Sequence, residues 1–296
     1  IKEHPEYEKV AVVLSGDVGF YSGAKKLLDR LQGQVRIVCG ISSVAYFMSR
    51  IQKSWDDVYL TSTHGRAANL IAQLKQHKKV FSILGERDAV SKLAEKLLTY
   101  GMEQVQMYLG ECLSYEEEKI QSGNPADFLN YQTDALSVVY LEDEQREVPN
   151  VTHGISDSEF IRDKVPMTKE EVRTVSLEKL RLKADSVCYD IGAGTGSVAI
   201  EMAQRVWCGK VYAIEKKPEA VSLIEKNRQK FAVDNLQIIE GYAPEAMEGL
   251  EAPTHAFIGG SSGNMKEIIN VLLKKNPNVR IVINCIALES VSEALA

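Results

Sequence analysis

Val187-Cys188-Tyr189-Asp190-Ile191-Gly192-Ala193-Gly194-Thr195-Gly196-Ser197 is the stretch that decides the fold of the second half of this chain. An apolar run ends in an acid, breaks into three alternating glycines, and passes at once into a helix-like pattern from Ser197 through Val206. That order is a strand, a tight turn and a helix N-terminus. Glycine is needed in such a turn because the backbone approaches a ligand closely and takes conformations that a Cβ forbids. A second apolar run, Val211-Tyr212-Ala213-Ile214, ends at Glu215, 19 residues beyond Gly196. The separation is close to the roughly 20 residues at which a carboxylate grips ribose hydroxyls. The alternative is a plain βαβ turn with no ligand. Strand, glycines, helix, second strand and terminal acid together favour a nucleotide-like ligand.

The spacing of the glycines bears on which ligand. Dinucleotide folds use G-x-G-x-x-G, so that a helix N-terminus holds a pyrophosphate. Here Asp190-Ile191-Gly192-Ala193-Gly194-Thr195-Gly196 resembles the first motif of S-adenosylmethionine (SAM) methyltransferases, whose ligand carries no phosphate. Asp190 would suit the cationic amino-acid end of that ligand.

Working outward, the helical patterns after Gly196 alternate with apolar runs at Val187–Asp190, Lys210–Glu215, Leu236–Glu240, His255–Gly259 and Arg280–Cys285. Strands separated by helices predict a largely parallel sheet. A first α/β block precedes it, from about Val10 to Glu142. Its expected strands are Val10–Leu14, Val35–Val38, Val58–Thr61, Val80–Leu84, Gln104–Leu109 and Leu136–Leu141. Tyr21–Leu31 reads as a helix, with Ala24, Leu27, Leu28 and Leu31 on one face, and a second helix is expected after Ser43 to about Ile51. The polar stretch Glu142–Asn150 reads as a solvated connector. The expectation is therefore α/β with two domains, at residues 1–146 and 150–296, in keeping with a length of 296 residues.

Composition removes several functions. A formal net charge of −6 argues against a general nucleic-acid-binding surface, and no apolar run is long enough to cross a bilayer. There is no signal-peptide pattern. The five cysteines are scattered, with no C-x-x-C pair. Such usage suits a reducing cytoplasm without a disulfide framework or a zinc site, and Cys188 and Cys285 are expected to be buried free thiols. No metal is expected.

Three further segments carry chemistry. Gly241-Tyr242-Ala243-Pro244 follows the third strand of the second block, where methyltransferases often place a loop whose backbone meets an adenine ring. Ile258-Gly259-Gly260-Ser261-Ser262-Gly263-Asn264 follows the fourth strand. Ligands of open parallel sheets sit beyond the carboxyl ends of the strands, so this loop is expected in the site. Arg162, Lys164, Lys169 and Arg173 surround a Pro-anchored turn in which Thr168 can cap a helix. They suit an anionic substrate, Arg best for bidentate carboxylate contacts; an ordinary salt-bridged helix start fits them equally.

Taken together, Gly154-Ile155-Ser156-Asp157-Ser158-Glu159-Phe160, Pro166-Met167-Thr168-Lys169, the glycine motif, Tyr212-Ala213-Ile214-Glu215 and Phe257-Ile258-Gly259-Gly260-Ser261 resemble the decarboxylating C15-methyltransferases of corrin ring biosynthesis. In the first block, Ser15-Gly16-Asp17-Val18-Gly19-Phe20-Tyr21, Gly40-Ile41-Ser42-Ser43, Thr61-Ser62-Thr63-His64-Gly65-Arg66 and Leu109-Gly110-Glu111-Cys112-Leu113-Ser114-Tyr115 resemble the C5-methyltransferases of the same pathway, which are tetrapyrrole methyltransferases. The two are often fused in this order as precorrin C5,C15-methyltransferases. Val18, Cys39 and Ser262 depart from that family's usual proline, proline and glycine. The chain is expected to be a fragment. Its first block lacks the family's opening strand and Gly-rich loop, and its second stops before a strand hairpin.

The resemblance implies a class I Rossmann-like SAM domain behind a truncated tetrapyrrole-methylase-like domain, in a cytoplasmic protein. Implied SAM contacts are Asp190, Gly192, Gly194, Thr195, Gly196, Glu215, Gly241, Tyr242, Ala243, Gly259 and Thr168, with Gly16, Asp17, Ser42 and Ser43 in the first block. Arg66, Arg162, Lys164, Lys169, Gly260 and Ser261 are the implied contacts of a precorrin or cobalt-precorrin substrate. No general acid or base is assigned; His64 could serve as one or merely shape its loop, and the second reading is favoured. Self-association through the second block is implied, with neither nucleic acid nor membrane as partner. Two other readings share the glycine turn: a class I methyltransferase for RNA or protein, and a SAM- or tetrapyrrole-binding module without turnover.

Overall fold

Two five-stranded sheets organise the chain in a computed structural model that describes residues 9–31, 35–64, 68–133, 137–146, 154–286 and 288–295. The first sheet holds β1 (Tyr59–Ser62), β2 (Lys79–Leu84), β3 (Gln106–Glu111), β4 (Lys119–Gly123) and β5 (Ser137–Glu142), flanked by α1 (Ala24–Leu28), α2 (Ser43–Arg50), α3 (Leu70–Gln76) and α4 (Ala89–Thr99). Its order is β1-β2-β5-β3-β4; β1 and β2 are parallel and the remaining pairs antiparallel.

The second sheet holds β6 (Val187–Ile191), β7 (Lys210–Glu215), β8 (Leu236–Glu240), β9 (His255–Ile258) and β10 (Arg280–Ile283). Around it lie α5 (Glu170–Leu180), α6 (Ser197–Arg205), α7 (Pro218–Lys230), α8 (Met265–Lys275) and α9 (Leu288–Leu295). All its pairs are parallel, in the order β10-β9-β6-β7-β8. Helices cover both faces, which is why β6, β7 and β9 are nearly continuous apolar runs. Alternate residues serve opposite faces. Cys188, Val211, Ala213 and Phe257 pack with Leu180, Ala199, Met202 and Ile224. Tyr189, Ile191, Tyr212, Ile214 and Ile258 pack on the other side with Met265, Ile268 and Leu272.

The strand order reverses between β6 and β9, so the two chain directions part there. That switch point opens a crevice at the carboxyl ends of the strands, where ligands of open α/β sheets bind.

The first block differs from its sequence reading. Val10–Leu14 and Val35–Val38 form no strand, and Val13 and Val38 are 92% and 72% exposed. An apolar run becomes a strand only where a neighbouring edge completes its ladder, and these runs pair with no strand among the described residues. The first helix shrinks to Ala24–Leu28. In contrast α3, α4 and β4, which the sequence reading did not place, supply much of the unit; Leu70, Leu74, Leu93 and Leu97 sit in its core. Residues 147–150 of the expected connector lie outside the described residues.

The two units touch through the loops that precede β7 and β8. Asn69 Nδ2 donates to Trp207 O at 2.9 Å and to Gly209 O at 3.1 Å. The Tyr59 ring stacks on His77 and meets Trp207 edge-on. Lys75 Nζ donates to Phe231 O, and burial pulls that ammonium down to about 8. These contacts lie at the amino ends of the second sheet's strands, and among the described residues the crevice at the carboxyl ends is lined by the second unit alone.

Candidate functional site

At the switch point the loops after β6, β7, β8, β9 and β10 enclose a cavity of about 690 Å³. The size falls within the range of small-molecule sites. The glycine turn forms one wall. Gly192, Gly194 and Gly196 all have φ between +56° and +78°, a region costly for residues with a Cβ. Two of them are also needed for close approach. A Cβ on Gly192 would lie 2.6 Å from Gly260 O, and one on Gly194 would lie 2.8 Å from Pro166 O. The turn is tied to its neighbours by main-chain bonds: Gly192 N donates to Ile214 O at 3.0 Å, and Gly259 N donates to Ile191 O at 2.9 Å.

Glu215 ends β7 facing this turn. One carboxylate oxygen accepts Gly194 N at 2.8 Å; the other accepts Lys216 N at 2.9 Å and Lys217 N at 3.1 Å. A carboxylate offers about four acceptor sites, so capacity remains for a hydroxyl of a ligand. Gly241, Tyr242 and Ala243 follow β8 and line the opposite side. Asn264 Nδ2 donates to Ala243 O at 3.1 Å and joins that loop to the one after β9.

The structure brings together eleven of the residues singled out from sequence: Gly192, Gly194, Glu215, Gly241, Tyr242, Ala243, Gly259, Gly260, Ser261, Thr168 and Lys169 all line the cavity. Others stand apart. Asp190 does not line it. Its carboxyl is 1% exposed and accepts Ala199 N at 2.8 Å, capping the start of α6 from the adjacent strand. Burial pushes its pKa up to about 7, opposed by that N–H and reinforced by the charge of Glu215. Thr195 and Gly196 also lie behind the wall, Thr195 fully buried and Gly196 against Ile224. Packing the helix onto the sheet is what those positions serve.

Of the cations before α5, Arg162 and Lys164 are exposed and outside the cavity lining. Arg173 is wholly buried. Its Nε donates to Glu201 at 2.6 Å, and Nη1 donates to Thr168 O at 2.6 Å and Asp157 at 3.2 Å. Nη2 donates to Ile155 O, and the guanidinium lies 4.8 Å from the Phe160 ring centre. Four of its five N–H donors are engaged within the fold and the side chain is out of the cavity lining, so its role is to hold the segment that covers the glycine turn. Burial opposes ionisation of Asp157, but hydrogen bonds from Arg173 and Lys169 keep its carboxyl below the ordinary range. Thr168 is not a cap; Lys169 precedes the first turn of α5, and no side chain closes it.

Sequence reasoning missed Lys216, Lys217 and the stretch Ile283-Asn284-Cys285-Ile286, all of which line the cavity, whereas Ser262 lines it within the loop expected there. The polar residues past β7 and β10 carry no pattern of their own; only the sheet order brings them to one mouth. Cys285 is accordingly half-buried at the site, while Cys188 is buried and its thiol pushed up to about 12 by desolvation. Asn227 was also missed. Buried on α7, it exchanges bonds with Ile161 and donates to Thr195 O at 3.0 Å, pinning the glycine turn from behind.

In the first unit, Asp17 accepts Gly19 N at 2.7 Å and Gly40 N at 3.2 Å, drawing the turn at Gly16 against the loop before α2. Ser42 caps α2 by accepting Ala45 N, and Ser43 begins the helix. None of Gly16, Asp17, Ser42 and Ser43 lines the main cavity or a smaller one of about 340 Å³ at the contact between the units. His64 packs over Gly85, where an added Cβ would lie 2.4 Å from its ring, as a loop-shaping residue does. Arg66 lies outside the described residues. Among the described residues no group of His, Cys, Asp and Glu is placed to hold a metal, and no helix is long and apolar enough to cross a membrane.

The sequence profile of the precorrin methyltransferase domain matches residues 158–296, and that of the tetrapyrrole (corrin/porphyrin) methylases matches residues 1–128. The chain is 47% identical over 146 residues to a probable cobalt-precorrin-6B C(15)-methyltransferase (decarboxylating) of Sulfurisphaera tokodaii, covering 48% of this chain and 76% of that one. It is 30% identical over 271 residues to a precorrin-6Y C(5,15)-methyltransferase [decarboxylating] of a Sinorhizobium species, covering 89% of this chain and 65% of that one. A solved precorrin-6Y C5,15-methyltransferase from Geobacter metallireducens is 40% identical, covers 48% of this chain and 77% of its own, and superposes with a TM-score of 0.47.

Proposed function

The chain belongs to the precorrin methyltransferase family, and we propose that its second unit binds SAM in the cavity at the switch point and methylates a precorrin at C15 with loss of the C12 acetate carboxyl as CO₂. The first unit is assigned the C5 methylation of the same ring. The observation that carries the reading is the meeting of the glycine turn, the Glu215 carboxylate, the Tyr242 loop and the Gly259–Gly260 loop in one cavity of about 690 Å³.

The donor set fits the group. Glu215 keeps acceptor capacity for ribose hydroxyls, and the apolar Ile191, Ile214 and Val165 suit a purine face. The loop Gly241–Ala243 offers main chain beside it. When bound, SAM supplies an electrophilic sulfonium methyl. The work left to the chain is positioning and exclusion of water. Gly192 and Gly194 admit the ligand to main-chain distance. Arg173 and Asn227 hold the covering segment and the glycine turn at fixed separation. The loop Gly259–Ser262 and the residues past β10 define the side from which a macrocycle enters. The nucleophile is a ring carbon of enamine character, so no covalent protein intermediate is required. Self-association through the second unit belongs to the same proposal.

Calorimetric titration with S-adenosylhomocysteine tests the site. The expected result is saturable binding that Gly194→Asp abolishes, because the new side chain enters the space held by Pro166 O. Unaltered binding by Gly194→Asp would remove the cavity from the reading.

A further inference from the structure

Lys216 is the first residue past β7, and its ammonium spans the mouth of the cavity. Nζ donates to Ser262 Oγ at 2.8 Å, on the loop after β9, and stands 5.0 Å from the centre of the Tyr242 ring, on the loop after β8. Both partners are neutral. The other formally charged residues lining the cavity are Lys169, Lys217 and Glu215. Lys169 is paired with Asp157 at 3.3 Å, and the Glu215 carboxylate already receives three main-chain N–H groups. The mouth therefore presents more cationic than anionic charge, and the cavity lining holds no carboxylate that pairs with Lys216.

From this geometry we infer that Lys216 anchors a carboxylate of the macrocyclic substrate, exchanging its bond to Ser262 for a charge-assisted one. The inference rests on the proposed reading of the cavity as the methyl-transfer site of a ring fringed with acetates and propionates. An ammonium has three donors, and a bond to a carboxylate is about twice as strong as one to a hydroxyl, so the exchange is favourable. The three loops it bridges are those that a ring resting over the methyl donor would contact. In the free protein the bond to Ser262 holds the side chain across the entrance, already extended toward incoming anions.

The test compares the intact chain with Lys216→Met, Lys216→Arg and Ser262→Ala. S-adenosylhomocysteine is titrated first by calorimetry. Uroporphyrin I, a tetrapyrrole carrying acetates and propionates, is then titrated by fluorescence quenching with S-adenosylhomocysteine present, at low and high salt. Lys216→Met is expected to leave S-adenosylhomocysteine affinity in place, to weaken the porphyrin by about tenfold and to flatten its salt dependence. Lys216→Arg should retain most of the affinity, and Ser262→Ala should bind no more weakly than the parent. Equal porphyrin affinity and salt slope in Lys216→Met, with S-adenosylhomocysteine still bound, would overturn the inference alone. So would a loss in Ser262→Ala matching that in Lys216→Met, since Lys216 would then merely join two loops. Failure of the parent to bind the porphyrin also overturns it. Failure of the parent to bind S-adenosylhomocysteine removes the reading of the site and the inference with it.

Discussion

Replacing Arg173 by methionine removes a charge that sequence patterning offers to the substrate and that the fold uses internally. The side chains of Arg173 and Glu201 are both 0% exposed and meet at 2.6 Å. Removing one member of a buried pair typically costs about 3–5 kcal/mol, because the survivor is left without compensation. Glu201 keeps Ile155 N at 3.1 Å and the Arg205 guanidinium at 3.0 Å, so the lower end, about 3 kcal/mol, is expected for Arg173→Met. The carbonyls of Ile155 and Thr168 lose their donor in the same change. Thr168 O anchors the covering segment, so S-adenosylhomocysteine affinity should fall several-fold beside the loss of stability. Urea unfolding followed by far-UV dichroism reads the first effect, and calorimetry the second. The pair Arg173→Met with Glu201→Gln should cost clearly less than the sum of the single changes, by about 1–3 kcal/mol, since the two side chains touch. Because the pair is out of solvent, salt should change these values little. A cost for Arg173→Met below about 1 kcal/mol, or strict additivity in the double variant, would refute the assignment of Arg173 to a buried network.

Gly192→Ala places a Cβ 2.6 Å from Gly260 O at a φ of +72°, so left-handed strain and overpacking together should cost about 3 kcal/mol in urea unfolding. Gly260→Ala faces open space and should stay within about 0.5 kcal/mol of the parent; equal costs for the two would discredit the close approach. Asp190 titrates at about 7 in the folded protein against 3.8 unfolded, so the folded state holds the proton more tightly. Its contribution is most favourable below about pH 4 and is lost as pH rises to about 7. Asp190→Asn can still accept Ala199 N and should remove that part of the slope, seen as a gain in melting temperature near neutrality that vanishes in acid; an unchanged slope would contradict the upward push that burial gives this carboxyl.

The second sheet was legible because its signals are local. Val211–Ile214 is apolar at every position because both faces are covered, and the three glycines mark backbone that no Cβ permits. Glu215 ends its strand where the sheet meets the ligand side, so its role follows from position in the run. The first block was less legible. Val10–Leu14 and Val35–Val38 have strand composition, but pairing depends on a distant edge, which composition does not report. The helices α3 and α4 went unplaced although Leu93, Ala94 and Leu97 have helical spacing in the core.

Residue chemistry proved a poorer guide to direction than to type. Asp190 and Arg173 are charged residues beside a predicted site, and both turn away from it, one to cap α6 and one to join α5 to α6. Lys216 and Asn284 carry no sequence signal, yet both reach the cavity. The parallel αβ unit, its glycine turn and the acid at the end of the second strand are encoded locally along the chain, because each is set by the period of burial or by the steric limits of one residue. The tertiary structure alone decided which charges face the cavity, because the order β10-β9-β6-β7-β8 brings the ends of separate strands to one mouth, and a charge buried on the way there must be neutralised within the fold.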